Sequence, residues 1–551
     1  MLFDHRSPVF ELSDRYVSSL AAISPITATF LGIPGYDNKL DDFSLTGSER
    51  RADLVRRTLQ DLSALEPADD IDRIAKDVMG ERLRSELALH DSNESEILWN
   101  VIKSPVSRIR NVFEMMSFQT DVDFENCTAR FNLVAGAYKS WLSSIDELAK
   151  VGKVTSRRQT LAVAEKLKVF AQDAYSGIAR RVDPNGKYPE LHIAAAAADD
   201  SAGQASEWLI KEYLPQANPV DAVGQARYSQ WARHFTGAEL DLRATYEWGL
   251  EDLAQINERM WKVAAKIKPG AQSLREVADY LDHDPRYTVH GTELLLKKLD
   301  EFIKEAVKAI DGLHFEIDDR IKTCEVRLAP NGSASAPYYE SPSEDLSRPG
   351  TTWYPALGKD TFRWWDLPST WYHEGVPGHH LQSATVIIEM DRLSRFQRTQ
   401  AWTSGYGEGW ALYAERFMDE LGGFSDPGYE MGFLSAQALR AARVVVDIGM
   451  HLGYTDSDGA VWNAQSAYEL LRDKALLDHE HASSEVDRYL GWPGQAISYK
   501  VGERVWMRSR ENAKQRVGSN FSLKKFHSYA LKLGPMGLDS FEDEMSRWDG
   551  I

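Results

Sequence analysis

Cysteine is almost missing from this chain: two residues, Cys127 and Cys324, in 551. They stand far apart and form no Cys-x-x-Cys pair, which argues against a disulfide framework and a sulfur-ligated metal site. Basic residues are in deficit as well. Lys and Arg number 64 against 83 Asp and Glu, a formal net charge of -19. With no basic run to offset it, that balance argues against phosphate-backbone binding as the main activity. Long apolar runs are lacking too. No stretch approaches the roughly 18 to 20 uncharged apolar residues of a membrane span, and the N-terminal segment breaks its apolar positions with Asp4, Arg6, Glu11, Asp14 and Arg15. It reads as an amphipathic helix, without the apolar core or cleavage pattern of a signal peptide. These absences lead to the expectation of a cytoplasmic protein with no nucleic-acid or membrane partner; its oligomeric state stays open.

What the chain has in quantity is helical periodicity. Windows such as RADLVRRTLQDLSALE, CTARFNLVAGAYKSWLSSIDELAKV and LDLRATYEWGLEDLAQINERMWKVAAKI repeat apolar residues three and four apart with charges between. Breakers separate them at 183–190, 268–270 and 282–287. Strand signal is sparse, its best candidate being KTCEVRLAP, 322–330, followed by a Gly, Pro and Ser-rich stretch to 355 that reads as an irregular loop. A loop of that length inside a compact domain points to function. The expected organisation is a mainly α chain with a helical N-terminal lobe, 1–220, and a helical C-terminal lobe, 221–551, or one continuous domain. A minor β or irregular insertion falls near 322–355.

Just after that insertion comes WYHEGVPGHHLQ, which holds His373, Glu374, His379 and His380 within eight positions. Zinc hydrolases place two histidines at His-Glu-x-x-His on one helix, with the glutamate as general base. Here Pro377 occupies the second histidine's place. On an unbroken helix His380 would lie roughly 10 Å along the axis from His373 and His379 would point about 120° away. Pro377 removes an N–H and clashes with the carbonyl of residue 373, and Gly378 tolerates unusual dihedrals, so a kink or wide turn is expected. A bulge absorbing one or two residues would carry His379 to the second ligand position; His380 is the alternative, or an orienting neighbour. The bland reading is that these histidines cap helix ends or fill polar gaps.

A third ligand is available downstream. In SGYGEGWALYAERFMDE, Glu408 opens an otherwise mostly apolar helix, where burying a carboxylate is costly unless a cation pairs with it. The competing role is a solvent-exposed carboxylate on the helix dipole. Glu415, seven residues on along the same face, is an alternative ligand or a supporting partner. In LSAQALRAARVVVDIGMHLGYTD, the residues Gln437, Arg440, Arg443, Asp447 and His451 share one face. They read as a buried Arg440–Asp447 ion pair or, for Arg443 and His451, as groups for a substrate carboxylate or an oxyanion. Tyr499 and Arg504, near a Pro/Gly turn, are further candidates for those tasks.

HEGVPGHH, GYGEGWALYAE, RVVVDIGMH and PGQAISYKVGE, in that order, resemble the bacterial domain-of-unknown-function 885 family over most of the chain. That family is similar to the helical gluzincin metallopeptidases, and the run around Glu408 looks like the third-ligand helix of leukotriene-hydrolase-type aminopeptidases. The resemblance implies a two-lobed helical body with a central cleft and one zinc ion. It departs from the usual pattern in having its second histidine six residues after the first. The combined expectation is a zinc-dependent peptidase acting on short peptides: His373, His379 and Glu408 on the metal, Glu374 as general base, and His451 and Tyr499 as catalytic partners. Arg443, Arg504, Tyr339 and Arg348 would contact substrate, and His380, Glu415 and Asp447 would be alternates or supports. The competing readings are a helical scaffold with a structural metal site and a metal-dependent amidase or esterase on a non-peptide substrate.

Overall fold

Most helices here begin where a short polar side chain takes up a free backbone N–H. Ser44, Ser156 and Asp241 cap in this way, and Thr120 and Asp123 form a reciprocal capping box. The computed structural model describes residues 7–330, 336–343, 345–456 and 459–550. The chain is mainly helical, 68 % of it, with only small sheets. No described helix is long and apolar enough to cross a membrane.

The described residues fall into two compact units, 7–230 with Asp487–Trp492, and Trp231–Val486 with 493–550. In the first, helices Asp121–Ala149, Arg157–Asp173 and Pro189–Trp208 enclose a core rich in rings, among them Trp99, Phe113, Phe131, Trp141 and Tyr175. Ala194, Ala195, Ala198, Ala202 and Ala205 are buried along Pro189–Trp208, and their small side chains let its neighbours approach closely.

The second unit carries the histidine motif. Helix Leu242–Ile267 packs along Pro427–Leu452, and Ser404–Glu420 along Ser498–Val517. The latter crossing is tight because it is made between glycines: a Cβ on Gly409 would lie 2.4 Å from the Gly502 Cα. The strand expected within 322–330 is present, and the irregular stretch after it carries two further short strands. β2 (Cys324–Leu328) and β4 (Gly350–Tyr354) pair in parallel, and β3 (Tyr338–Glu340) adds antiparallel to β4. A separate pair joins β1 (Thr288–His290) to β5 (Thr361–Arg363). Residues 331–335 and 344 of that stretch lie outside the described residues.

Behind the motif, His527 is fully buried, stacked on Phe315 at 4.3 Å between ring centroids. Nδ1 lies 2.9 Å from the His314 carbonyl and Nε2 lies 2.7 Å from the Tyr413 hydroxyl. Nδ1–H therefore donates and Nε2 accepts, which defines a neutral ring. Burial depresses its pKa to about 3. The unfolded chain, with an ordinary histidine value near 6.5, then binds the extra proton between those values. Stability from the neutral ring is complete above about pH 6.5 and is lost as pH falls toward 3. Between pH 7 and 5 the loss from this one group is about 2 kcal/mol. His527→Gln, which can both donate and accept, is expected to be less stable at pH 7, with its deficit shrinking by about that amount at pH 5; denaturant unfolding at the two pH values measures this.

Candidate metal centre

The helix Leu367–Glu374 stops after Glu374, and a new helix, His379–Ile388, begins after four intervening residues. The Gly378 N–H reaches the Tyr372 carbonyl at 3.0 Å and the His380 N–H the Gly375 carbonyl at 3.1 Å, so the connection is a compact turn. Only glycine fits at 378: a Cβ there would stand 1.9 Å from the His373 carbonyl oxygen. Trp410 holds the turn from the neighbouring helix, its indole N–H shared between the carbonyls of Pro377 and Gly378 at 2.9 and 3.0 Å. Helix Ser404–Glu420 thus supplies both Glu408 and the clamp on the loop that positions His379.

Those elements bring three side chains together. Glu408 Oε2 lies 3.3 Å from His373 Nε2 and 3.5 Å from His379 Nε2, and the three ligating atoms all fall within 4.8 Å of one another. Among the described residues this is the one group of His, Cys, Asp or Glu arranged to hold a metal ion. Donor atoms around a tetrahedral ion bound at roughly 2.0–2.2 Å lie about 3.3–3.6 Å apart. Both edges at Glu408 match, the histidine–histidine edge lies within 4.8 Å, and two imidazoles with one carboxylate form a donor set suited to zinc. The residues fit the ion. The side chains of His373, His379 and Glu408 are 5, 12 and 18 % exposed, so the cluster is lined by protein while keeping a side open to solvent.

Behind His373, Glu415 Oε1 sits 2.8 Å from Nδ1 and fixes that nitrogen as the donor, leaving Nε2 to face Glu408. Glu415 is fully buried; Ser369 donates to its other oxygen, and Arg440 Nη2 lies 3.7 Å from Oε1. His379 has no equivalent support: its Nδ1 is buried without a protein partner. Burial alone would lower the His373 pKa, but Glu408 and Glu415 outweigh it and raise the value to about 9. Burial would raise Glu408, yet the two histidines hold it well below the ordinary carboxylate range. The histidines and carboxylates of the cluster thus hold each other in their charged forms. Glu374 is raised, chiefly by burial, with Glu408 adding to the effect.

His380 is placed otherwise. Its Nε2 is 2.8 Å from the Ile321 carbonyl and its Nδ1 3.1 Å from the Tyr339 hydroxyl, so both nitrogens are engaged away from Glu408. Burial lowers its pKa to about 4, consistent with a neutral ring that donates to the carbonyl and accepts from the tyrosine. Tyr339 thus ties β3 to the start of the second motif helix. Arg348 is occupied within its own loop, donating to the Ser341 carbonyl at 2.8 Å and lying 3.3 Å from Glu340.

The polar face of helix Pro427–Leu452 divides among several partners, and no Arg440–Asp447 pair forms. Gln437 accepts from Lys500 at 2.8 Å, Arg440 faces Glu415, Arg443 binds Glu485 at 2.9 Å, and Asp447 accepts from the Gly494 N–H at 2.9 Å. His451 is buried, with Nε2 3.7 Å from Asp447. Tyr499 is at the cluster, its ring 6.5 Å from that of His373, and the Arg443 guanidinium lies over the Tyr499 ring at 4.6 Å. Arg504 is exposed and stacks on Trp248 at 4.5 Å. Sequence reasoning missed Ser369 and Trp410. Ser369 stands one turn before His373 on the same helix, a usable signal; the Trp410 clamp is made through space and leaves none.

The architecture and this cluster define a mainly helical protein with a candidate histidine and glutamate metal centre. The chain belongs to the bacterial DUF885 family of proteins of unknown function, which it matches over residues 25–545. No curated protein matches it. Among solved structures it is similar to a protein of Colwellia psychrerythraea described as a "putative lipoprotein", at 22 % identity and a TM-score of 0.85, covering 98 % of both chains. A second, from Shewanella oneidensis and described in the same way with its function unknown, matches at 19 % identity and a TM-score of 0.77, covering 98 % of this chain and all of that one. These likenesses establish the shared fold. The lipoprotein descriptions overturn the cytoplasmic placement expected above. That expectation rested on two absences, of a long apolar run and of a signal-peptide pattern, and such absences do not place a protein in a compartment.

Glu415→Gln keeps the shape but removes the charge behind His373. It is expected to weaken zinc binding about 10- to 100-fold, read by competition with a chromogenic chelator.

Proposed function

We propose that this protein is a zinc-dependent hydrolase that cleaves short peptides, with one ion held by His373, His379 and Glu408. The observation that carries the reading is the convergence of both histidine Nε2 atoms on Glu408 Oε2, at distances that match the edges of a tetrahedral zinc site. The likeness of the His-Glu and Glu-Gly-aromatic segments to the helical gluzincins supports it. A bound zinc ion at such a site supplies an acidified water and a Lewis acid for the carbonyl. Glu374, adjacent to His373, takes the proton of the attacking water and returns it to the leaving amine. Tyr499, beside the His373 ring, offers its hydroxyl to the developing oxyanion, with the Arg443 guanidinium next to it.

Protein purified without added metal is expected to hold close to one zinc per chain by elemental analysis. It should cleave a mixed peptide pool, stop when a chelator is added and resume on zinc addition. Zinc retained with no peptide turned over would reject the peptidase and leave a structural metal site; no zinc would reject both.

A further inference from the structure

Trp402 is unused by the chemistry above, and its setting is unusual. Tryptophan is ordinarily well buried, yet this one is 52 % exposed. It is not loose on the surface. A Cβ on Gly407 would lie 2.1 Å from Cη2 and 2.3 Å from Cζ2 of the indole, so the six-membered ring rests in a notch made by bare backbone, one residue before Glu408. Its ring centroid is 6.2 Å from that of His379, tilted by 55°. The sequence therefore keeps a glycine in the first turns of the glutamate helix, where it seats an exposed indole against a candidate ligand.

We propose that Trp402 is a stacking platform that selects peptides carrying an aromatic side chain next to the scissile bond. The inference rests on the peptidase reading of the site. A rigidly seated indole offers a flat apolar face at little entropic cost, and offset or edge-on aromatic pairs gain beyond simple area burial. Its position beside His379 places that face within one side chain's reach of the reacting carbonyl.

The test reads binding, on full-length, zinc-loaded Glu374→Gln protein, by calorimetry with three glycine pentapeptides bearing Phe, Ala or Arg at the centre. The Phe peptide is expected to bind roughly three- to tenfold tighter than the Ala peptide. Adding Trp402→Leu, which fills the Gly407 notch without a ring, should abolish that preference, while Trp402→Phe should keep most of it at unchanged zinc content. A preference that survives Trp402→Leu overturns the proposal, as do tighter binding of the Arg peptide and failure to bind any peptide. Phe preference lost in Trp402→Leu, together with no cleavage of the Phe peptide by the unmodified protein, would uphold the platform and reject the hydrolase.

Discussion

Glu374→Gln is expected to retain one zinc per chain and to lose peptide hydrolysis by about 10²- to 10⁴-fold, the range typical for removing a general base. The substitution is nearly isosteric, so the last turn of Leu367–Glu374 and the tight turn after it keep their packing. What changes is proton affinity. A carboxylate whose pKa burial has raised can take a proton from an acidified water and release it to an amine; a carboxamide can do neither. Because Glu374 is not one of the three residues grouped to hold the ion, His373, His379 and Glu408, metal content should not follow activity down. Elemental analysis beside a kcat measurement separates the two. Full activity in the glutamine variant would remove Glu374 from the mechanism, and loss of zinc along with activity would make it a ligand.

A second pair of variants has an effect of similar size on metal binding. His379→Ala should abolish stoichiometric zinc, whereas His380→Gln should keep it, because the ring nitrogens of His380 are committed to Ile321 and Tyr339. The consequence is also visible in stability. Zinc at 1,000 times its dissociation constant raises stability by about 4 kcal/mol, so the unmodified protein and His380→Gln should both show a zinc-dependent rise in melting temperature. His379→Ala should show none. The reverse result would assign the second ligand to His380.

The helices were legible because their periodicity is local: the window 240–267 contains Leu242–Ile267 almost to the residue. The strands were not, apart from β2. They are three to five residues long, sit among Gly, Pro and Ser, and owe their existence to pairings such as Cys324 with Gly350 that no local pattern encodes. At the candidate site, the residue types and the expectation of a broken helix could be read directly. The choice between His379 and His380 could not, since it depends on how far the turn closes, and that is set by Gly378 pressed against the His373 carbonyl and by an indole from another helix. The polar face of Pro427–Leu452 shows the same limit. Its periodicity was evident, but Arg443 with Glu485 and Asp447 with Gly494 are through-space partners.

The compact turn between His373 and His379 also bears on pattern scanning and on grafting. A scan for His-Glu-x-x-His passes over this chain, because the two histidines belong to separate helices joined by a glycine-closed turn. A descriptor written as His-Glu, four residues, then His, with glycine fixed just before the second histidine, would capture it. Transplanting those seven residues into an ordinary helix would not reproduce the geometry. The cassette needs its break, and it needs an indole on the facing helix to hold the break shut.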